Sequence, residues 1–122
     1  MLLLLCFTLT LNTLYAEGER TVYCSTTTDG YVRIDYGQRD QKKNLLVDEN
    51  GRSIYFRSMV AVMNYMAERG WNYESEITTV ESDTFEPNEI ESHTLLIFSK
   101  RIDSMEEITE GLLTQQMFLE QQ

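Results

Sequence analysis

One histidine and a group of carboxylates are the residues of this 122-residue chain that could carry acid–base chemistry. His93 is the candidate general acid or base, and Glu74 and Glu76 precede it on a segment with the alternation of a strand. Such a group could serve a small hydrolase or another enzyme with an acidic site. No nucleophile can be placed beside His93 from the sequence, however, and the chain has no glycine-rich phosphate loop. We therefore expect a non-enzymatic protein with no catalytic residues and no cofactor, and the acidic enzyme is the alternative.

An acidic stretch between residues 81 and 92 offers oxygen ligands that could bind calcium. Its carboxylates are those of Glu81, Asp83, Glu86, Glu89 and Glu91. They lack the regular spacing and the glycine of a calcium-binding loop. A site built from histidine and cysteine would need more of either residue than this chain contains. We expect no metal site.

The first sixteen residues resemble a secretory signal. An apolar run from Leu2 to Phe7 leads to a small residue at Ala16, although no basic residue precedes the run. Cleavage there would make Glu17 the first residue of the mature protein. A buried N-terminal strand or helix is the alternative, and polar residues interrupt the stretch too early for a membrane span. We expect simple cleavage rather than lipidation at Cys6, because the bulky Leu5 precedes that cysteine.

The mature chain would keep a single cysteine, Cys24, and so could form no internal disulfide. Cys24 alternates with Val22 on one face of a predicted strand. A buried, unreactive thiol is therefore the favoured interpretation.

The chain is strongly acidic, with a net charge of −10 that falls in its second half. Residues 17–67 carry seven acidic and seven basic side chains, whereas residues 68–122 carry thirteen acidic and three basic ones. Such a surface repels nucleic acid and anionic lipid, so neither is an expected partner. The ordinary meaning of excess carboxylates is solubility.

A short amphipathic helix is the clearest structural element in the sequence. Apolar residues recur at helical spacing between Ser58 and Arg69, Ser58 is a suitable N-cap, and Gly70 can end the helix. From Trp71 to Val80 the period changes to two, which indicates a half-buried strand. His93 to Ile102 is apolar on both faces, which predicts a central strand.

The remaining strands are predicted upstream of the helix. Thr21–Thr27 and Tyr31–Tyr36 form one predicted hairpin, and the Asn50–Gly51 turn predicts a second, between residues 45–47 and 54–56. Together these elements predict an α+β domain over residues 17–102, an antiparallel sheet of five or six strands with the helix on one face. The predicted core consists of Val32, Met59, Met63, Met66, Trp71 and Ile97.

Residues 103–122 form an acidic tail that differs in character from the domain. Met105, Ile108, Leu112 and Leu119 have the spacing of one helical stripe, although Gly111 disfavours the helix by about 1 kcal/mol relative to alanine. Two alternatives are open. Either the tail docks on its own domain, or it folds on a partner.

The central part of the chain resembles a group of small secreted proteins of Bacteroidota, mostly uncharacterised. The shared features are the hairpin motif Val47-Asp-Glu-Asn-Gly51, the helix beginning Ser58-Met-Val and containing Asn64-Tyr-Met66, and Gly70-Trp71 at the next strand. The strand Val32-Arg-Ile-Asp-Tyr-Gly37 is also similar. The resemblance covers roughly residues 21–102 and implies fold and export, with no activity or catalytic residues.

These observations favour an exported interaction module, acting in the periplasm or at the cell surface on an unknown protein partner. The exposed sheet face and the acidic tail are the candidate surfaces. Tyr31, Tyr55 and Tyr65 could face outward and contribute to recognition, because aromatic rings offer large contact areas with a polar tip. The favoured alternative is that they cover the second face of the sheet or lie at its rim. The alternatives are the acidic enzyme described above and a structural accessory of an envelope complex.

Overall fold

The computed structural model describes residues 19–82 and 90–122, and these residues adopt an α+β fold. Its strands are β1 (Arg20–Thr26), β2 (Gly30–Tyr31), β3 (Ile34–Asp35), β4 (Tyr55–Phe56), β5 (Asn72–Ser82) and β6 (Ile90–Ile102). The helices are α1 (Met59–Glu68), a 3-10 helix (Met105–Ile108) and α2 (Gln115–Glu120). The expected leader and residues 83–89 of the acidic stretch lie outside the described part.

The strands of the described residues divide into two antiparallel sheets. Four strands form a sheet in the order β3-β1-β6-β5, and β2 pairs with β4 in a separate ribbon. The prediction of an antiparallel sheet with one main helix is confirmed at this level, but the described part gives four strands in that sheet rather than five or six. The predicted strand Tyr31–Tyr36 is split, because Tyr31 pairs with Tyr55 while Ile34 pairs with Thr26 of β1.

Helix α1 begins and ends where the sequence predicts. The Ser58 hydroxyl accepts a hydrogen bond from the backbone N–H of Ala61 at 3.2 Å, which caps the first turn. Gly70 has a φ of +88° and donates its N–H to the Ala67 carbonyl at 3.0 Å, which ends the helix. The end of the helix therefore places Trp71 in the core, where this residue is 1% exposed.

The core lies on one face of the four-stranded sheet. Phe98 and Leu96 of β6 are fully buried there, and Phe98 lies opposite the buried Cys24 of β1. The predicted core positions Val32, Met66 and Trp71 are buried, and Met59 and Met63 are partly buried against the cluster. The prediction for Ile97 is wrong. Side chains alternate along a strand, so Ile97 lies on the opposite face from Phe98 and is only half-buried.

Residues 103–122 pack against the rest of the chain, as in the first of the two alternatives for the tail. Leu46 and Thr114 form a β-bridge, and the Val47 N–H donates to the Leu113 carbonyl at 2.9 Å. Ile108 and Leu112 are buried. The predicted single stripe is replaced by two short helices, because Gly111 adopts a φ of +78° and reverses the chain between them.

Among the described residues, no helix is both long and apolar enough to cross a membrane.

Candidate interaction surface

The acidic residues proposed for an enzyme do not converge on one point. His93 lies opposite Thr79 in the β5–β6 register. Glu76 is three residues from Thr79 and Glu74 is five, which corresponds to roughly 10 Å and 16 Å along a strand. Glu76 also lies opposite Leu96, so it shares a face with Leu96 rather than with His93. The three side chains are therefore not arranged as an acid–base site.

Glu74 instead lies at a β-bulge and accepts a hydrogen bond within the sheet. The register between β5 and β6 shifts between Tyr73 and Ser75, which leaves Glu74 as the extra residue. Its carboxylate accepts a hydrogen bond from the hydroxyl of Ser99, a buried residue of β6. The exposed carboxylate thus satisfies a hydroxyl that would otherwise be costly to bury.

The described residues contain no group of three or more histidine, cysteine, aspartate or glutamate side chains that could hold a metal ion. Most of the stretch considered for calcium, including Asp83, Glu86 and Glu89, lies outside those residues. Cys24 is buried, and this burial raises the pKa of its thiol to about 12, with a further contribution from the negative charge of Asp35. Such a thiol is protonated at physiological pH and is a poor nucleophile.

Strands β5 and β6 extend beyond the rest of the sheet as a two-stranded arm. β1 pairs with β6 only from Leu96 to Ile102. Beyond that point, residues 90–95 pair with residues 77–82 alone, and we call these two segments the arm. The side chains of β5 that the structure describes in the arm are all exposed, including Ile77 and Val80. The arm therefore presents apolar groups on both of its faces.

A line of apolar side chains runs along the outer face of the sheet, opposite the core. It comprises Tyr23, Ile77, Leu95 and Ile97, and we call it the outer stripe. Tyr23 is 62% exposed and Ile77 is 49% exposed, while Leu95 and Ile97 are half-buried between them. Leu95 lies directly opposite Ile77, and Ile97 is diagonal to both Tyr23 and Ile77. Cross-strand and diagonal neighbours are close enough for such side chains to form one surface.

The tyrosines considered for recognition occupy two environments. Tyr31 and Tyr55 are exposed, as predicted, and their rings stack edge to face with centroids 5.3 Å apart. Tyr65 is half-buried, packs against Phe56, and lies under the guanidinium of Arg69, whose Cζ is 3.4 Å from the ring centroid. Tyr65 therefore belongs to the fold rather than to an open surface.

A shallow cavity of about 390 Å³ lies beside Tyr65 and Arg69. The Arg69 guanidinium that borders this cavity is already used within the chain. Its Nε donates to the Gly111 carbonyl at 2.6 Å, and a terminal nitrogen donates to the Tyr65 carbonyl at 2.9 Å. The Arg69 side chain is thus held by contacts within the fold.

The outer stripe was missed by the sequence interpretation, although a signal for it was present. The apolar residues on both faces of β6 predict a central strand, and the predicted core includes Ile97. Strand β6 is indeed central, between β1 and β5. Only the face with Leu96 and Phe98 is fully buried, and the face with Leu95 and Ile97 remains accessible.

Comparison of the chain with known proteins gave no match to a protein-family model, a curated protein or a solved structure.

Proposed function

We propose that this chain is an exported, non-enzymatic interaction module that binds a partner protein through the outer stripe. The observation that carries the proposal is the contiguous apolar line on the solvent side of the sheet, with Tyr23 and Ile77 as its most exposed members. Single exposed apolar residues are common on protein surfaces and need no explanation. A contiguous group bordered by polar residues is typical of a protein interaction site.

The surroundings of the outer stripe resemble the rim of an interface. Ser75 and Thr79 lie on the same face as Ile77, and an ion pair between Arg101 and Glu19 lies towards the other end of the sheet, at 2.8 Å. Tyr23 and Ile97 lie on the paired strands β1 and β6, whose opposite face is the buried core, while Ile77 and Leu95 lie in the arm. The side chains of the stripe thus contribute little to the core.

The charge around the stripe indicates what kind of surface would fit it. Residues 72–99 contain seven acidic side chains and no lysine or arginine. A partner with an apolar centre and basic side chains around it would be complementary in both respects. This chemistry also disfavours nucleic acid and anionic lipid.

Site-specific photo-crosslinking in the source organism tests the proposal. A photoreactive residue in place of Ile77 should give a defined crosslinked product, because Ile77 lies in the outer stripe. Val60 provides a matched control, since it is a similarly exposed aliphatic residue on helix α1. The product formed at position 77 should disappear when Tyr23 is replaced by glutamate. Equal crosslinking from positions 60 and 77, or none from 77, would refute the proposed surface.

Export is tested separately by N-terminal sequencing of the protein recovered outside the cytoplasm. A chain beginning at Glu17 supports cleavage of the leader. A chain that retains Met1 there contradicts it.

A further inference from the structure

The outer edge of β5 is an unusually long free edge. β5 contains eleven residues and stands at the end of the strand order, so among the described residues its outer edge has no partner strand. The bulge disturbs only its beginning. From Ser75 to Ser82 the register with β6 is continuous, from Ile97 to Ile90. A regular edge of eight residues presents a row of backbone N–H and C=O groups that can pair with another chain.

This edge lacks two of the residue types that commonly protect an edge strand, although it carries a bulge at its beginning and glutamates along its length. Residues 72–82 contain no proline and no lysine. The opposite edge of the same sheet is different, because β3 has only two residues and offers little to pair with. Among the described residues, the outer edge of β5 is therefore the longest continuous unpaired edge of this sheet.

The charge of β5 and of the residues that follow it selects among possible occupants of this edge. Glu74 and Glu76 lie on β5, and the whole stretch 72–99 has no lysine or arginine to balance its carboxylates. A second copy of the chain would bring one such acidic stretch against another, which is unfavourable. A segment that carries lysine or arginine would instead be attracted.

The side chains of β5 also set the pattern that a paired segment should have. Ile77 is exposed on the outer face, next to Leu95, and the adjacent Glu76 is exposed on the opposite face. Residues of an added strand would alternate between these two faces. An apolar residue would fit beside Ile77 and a basic residue beside Glu76.

We propose that β5 binds an extended segment with alternating apolar and basic residues, which adds to the sheet as a fifth strand. This inference rests on the proposed function and specifies how the partner is held. Backbone hydrogen bonds along residues 75–82 provide the affinity, and the Glu76 and Ile77 side chains provide the selectivity.

Three synthetic octapeptides test the mode of binding. The first alternates valine with lysine, the second alternates valine with glutamate, and the third is the lysine peptide with its two central amides N-methylated. Adjacent N-methyl groups block both edges of the peptide strand without changing its charge. The lysine peptide should bind and should slow hydrogen exchange of backbone amides within residues 75–82. The other two peptides should bind at least tenfold more weakly.

A charge reversal on the chain tests the selectivity. Glu76→Lys should weaken binding of the lysine peptide by about threefold to tenfold at low salt and strengthen binding of the glutamate peptide. Glu49→Lys is the matched control, because it makes the same charge change at an exposed turn position away from β5. Thermal melts of both variants should resemble that of the original protein, because both side chains are exposed.

Two results would overturn strand addition. One is equal binding of the methylated and unmethylated lysine peptides, which would indicate attraction by charge alone. The other is an equal effect of Glu49→Lys and Glu76→Lys. If no peptide binds while crosslinking from position 77 persists, strand addition is refuted and the proposed function stands. If the peptides bind as expected and crosslinking from position 77 fails, the proposed function alone is refuted.

Discussion

Replacing Leu112 with alanine should destabilise the fold by about 2–4 kcal/mol, whereas the same change at Leu119 should cost less than about 1 kcal/mol. Both leucines belong to the C-terminal tail. Leu112 is 6% exposed and lies in the core cluster, while Leu119 is 44% exposed on α2. Comparing the two variants shows the effect of side-chain burial on stability, because the chemical change is identical at the two positions.

The expected loss of stability follows from the burial of the Leu112 side chain. Leucine to alanine removes three carbon groups, and each buried one contributes about 0.8 kcal/mol through its removal from water. The cavity that remains adds to this loss, because the surrounding core relaxes only in part. Leu119 is already in contact with water, so its truncation loses a smaller share of the same terms.

Urea denaturation followed by circular dichroism measures both differences. The dependence of the unfolding free energy on urea should be the same for the two variants, so that the midpoints can be compared directly. A domain of this size has a stability of about 5–15 kcal/mol, so both variants should remain folded in water. Equal losses at the two positions, or a loss below about 1 kcal/mol at Leu112, would show that the tail is not part of the core.

Three further predictions concern the core and the tail. Trp71→Ala should cost about 3–5 kcal/mol in denaturant melts, since its ring is buried, and a loss below about 1 kcal/mol would contradict this. Cys24 should resist thiol reagents at pH 8 until the protein unfolds, because burial raises its pKa to about 12; rapid labelling of the folded protein would contradict this. The Glu107 carboxylate accepts backbone N–H groups of Ser104 and Asp103, which lower its pKa below the ordinary 4.5. The stabilising effect of this carboxylate should be present above pH 4.5 and lost as the pH falls through the lowered pKa. The melting temperatures of the Glu107→Gln variant and the original protein should therefore differ near neutral pH and become equal in acid.

The parts of the fold that depend on local chemistry were predictable from the sequence. Ser58 and Gly70 define the ends of α1, because a capping hydroxyl and a positive φ act within one turn of the chain. The Asn50–Gly51 turn was predictable for the same reason. There the Asp48 N–H donates to the Arg52 carbonyl at 2.8 Å and closes the loop.

The parts that depend on distant pairing were not predictable. Periodicity shows that Ile97 and Phe98 lie on opposite faces, but it does not show which face is covered. That is decided by distant packing, because Val62 and Met66 of α1 join Phe98 in the core cluster. Likewise, the split of the predicted strand at Val32 depends on a pairing between Tyr31 and Tyr55, which are 24 positions apart.

The candidate site also has features that were predictable from the sequence and features that were not. An exposed sheet face was named as a possible binding surface from the sequence, and the exposure of Tyr31 and Tyr55 was anticipated. The members of the outer stripe were not, since Tyr23 and Ile77 become neighbours of β6 only through the register of three strands. Glu74 and His93 lie on the neighbouring strands β5 and β6, but the register separates them along the pairing, because His93 lies opposite Thr79.

The pairing of β1 with β6 has a consequence for the order in which the chain can fold. Arg20 lies opposite Ile102, so the strand that follows the expected leader cannot find its neighbour until most of the chain has been synthesised. The segment around Leu45 completes its pairing later still, because the Leu45 carbonyl accepts a hydrogen bond from the N–H of Gln115. Such long-range pairings delay folding. The sheet and the C-terminal helices of this topology can therefore close on the core only after the last strand and those helices have been synthesised.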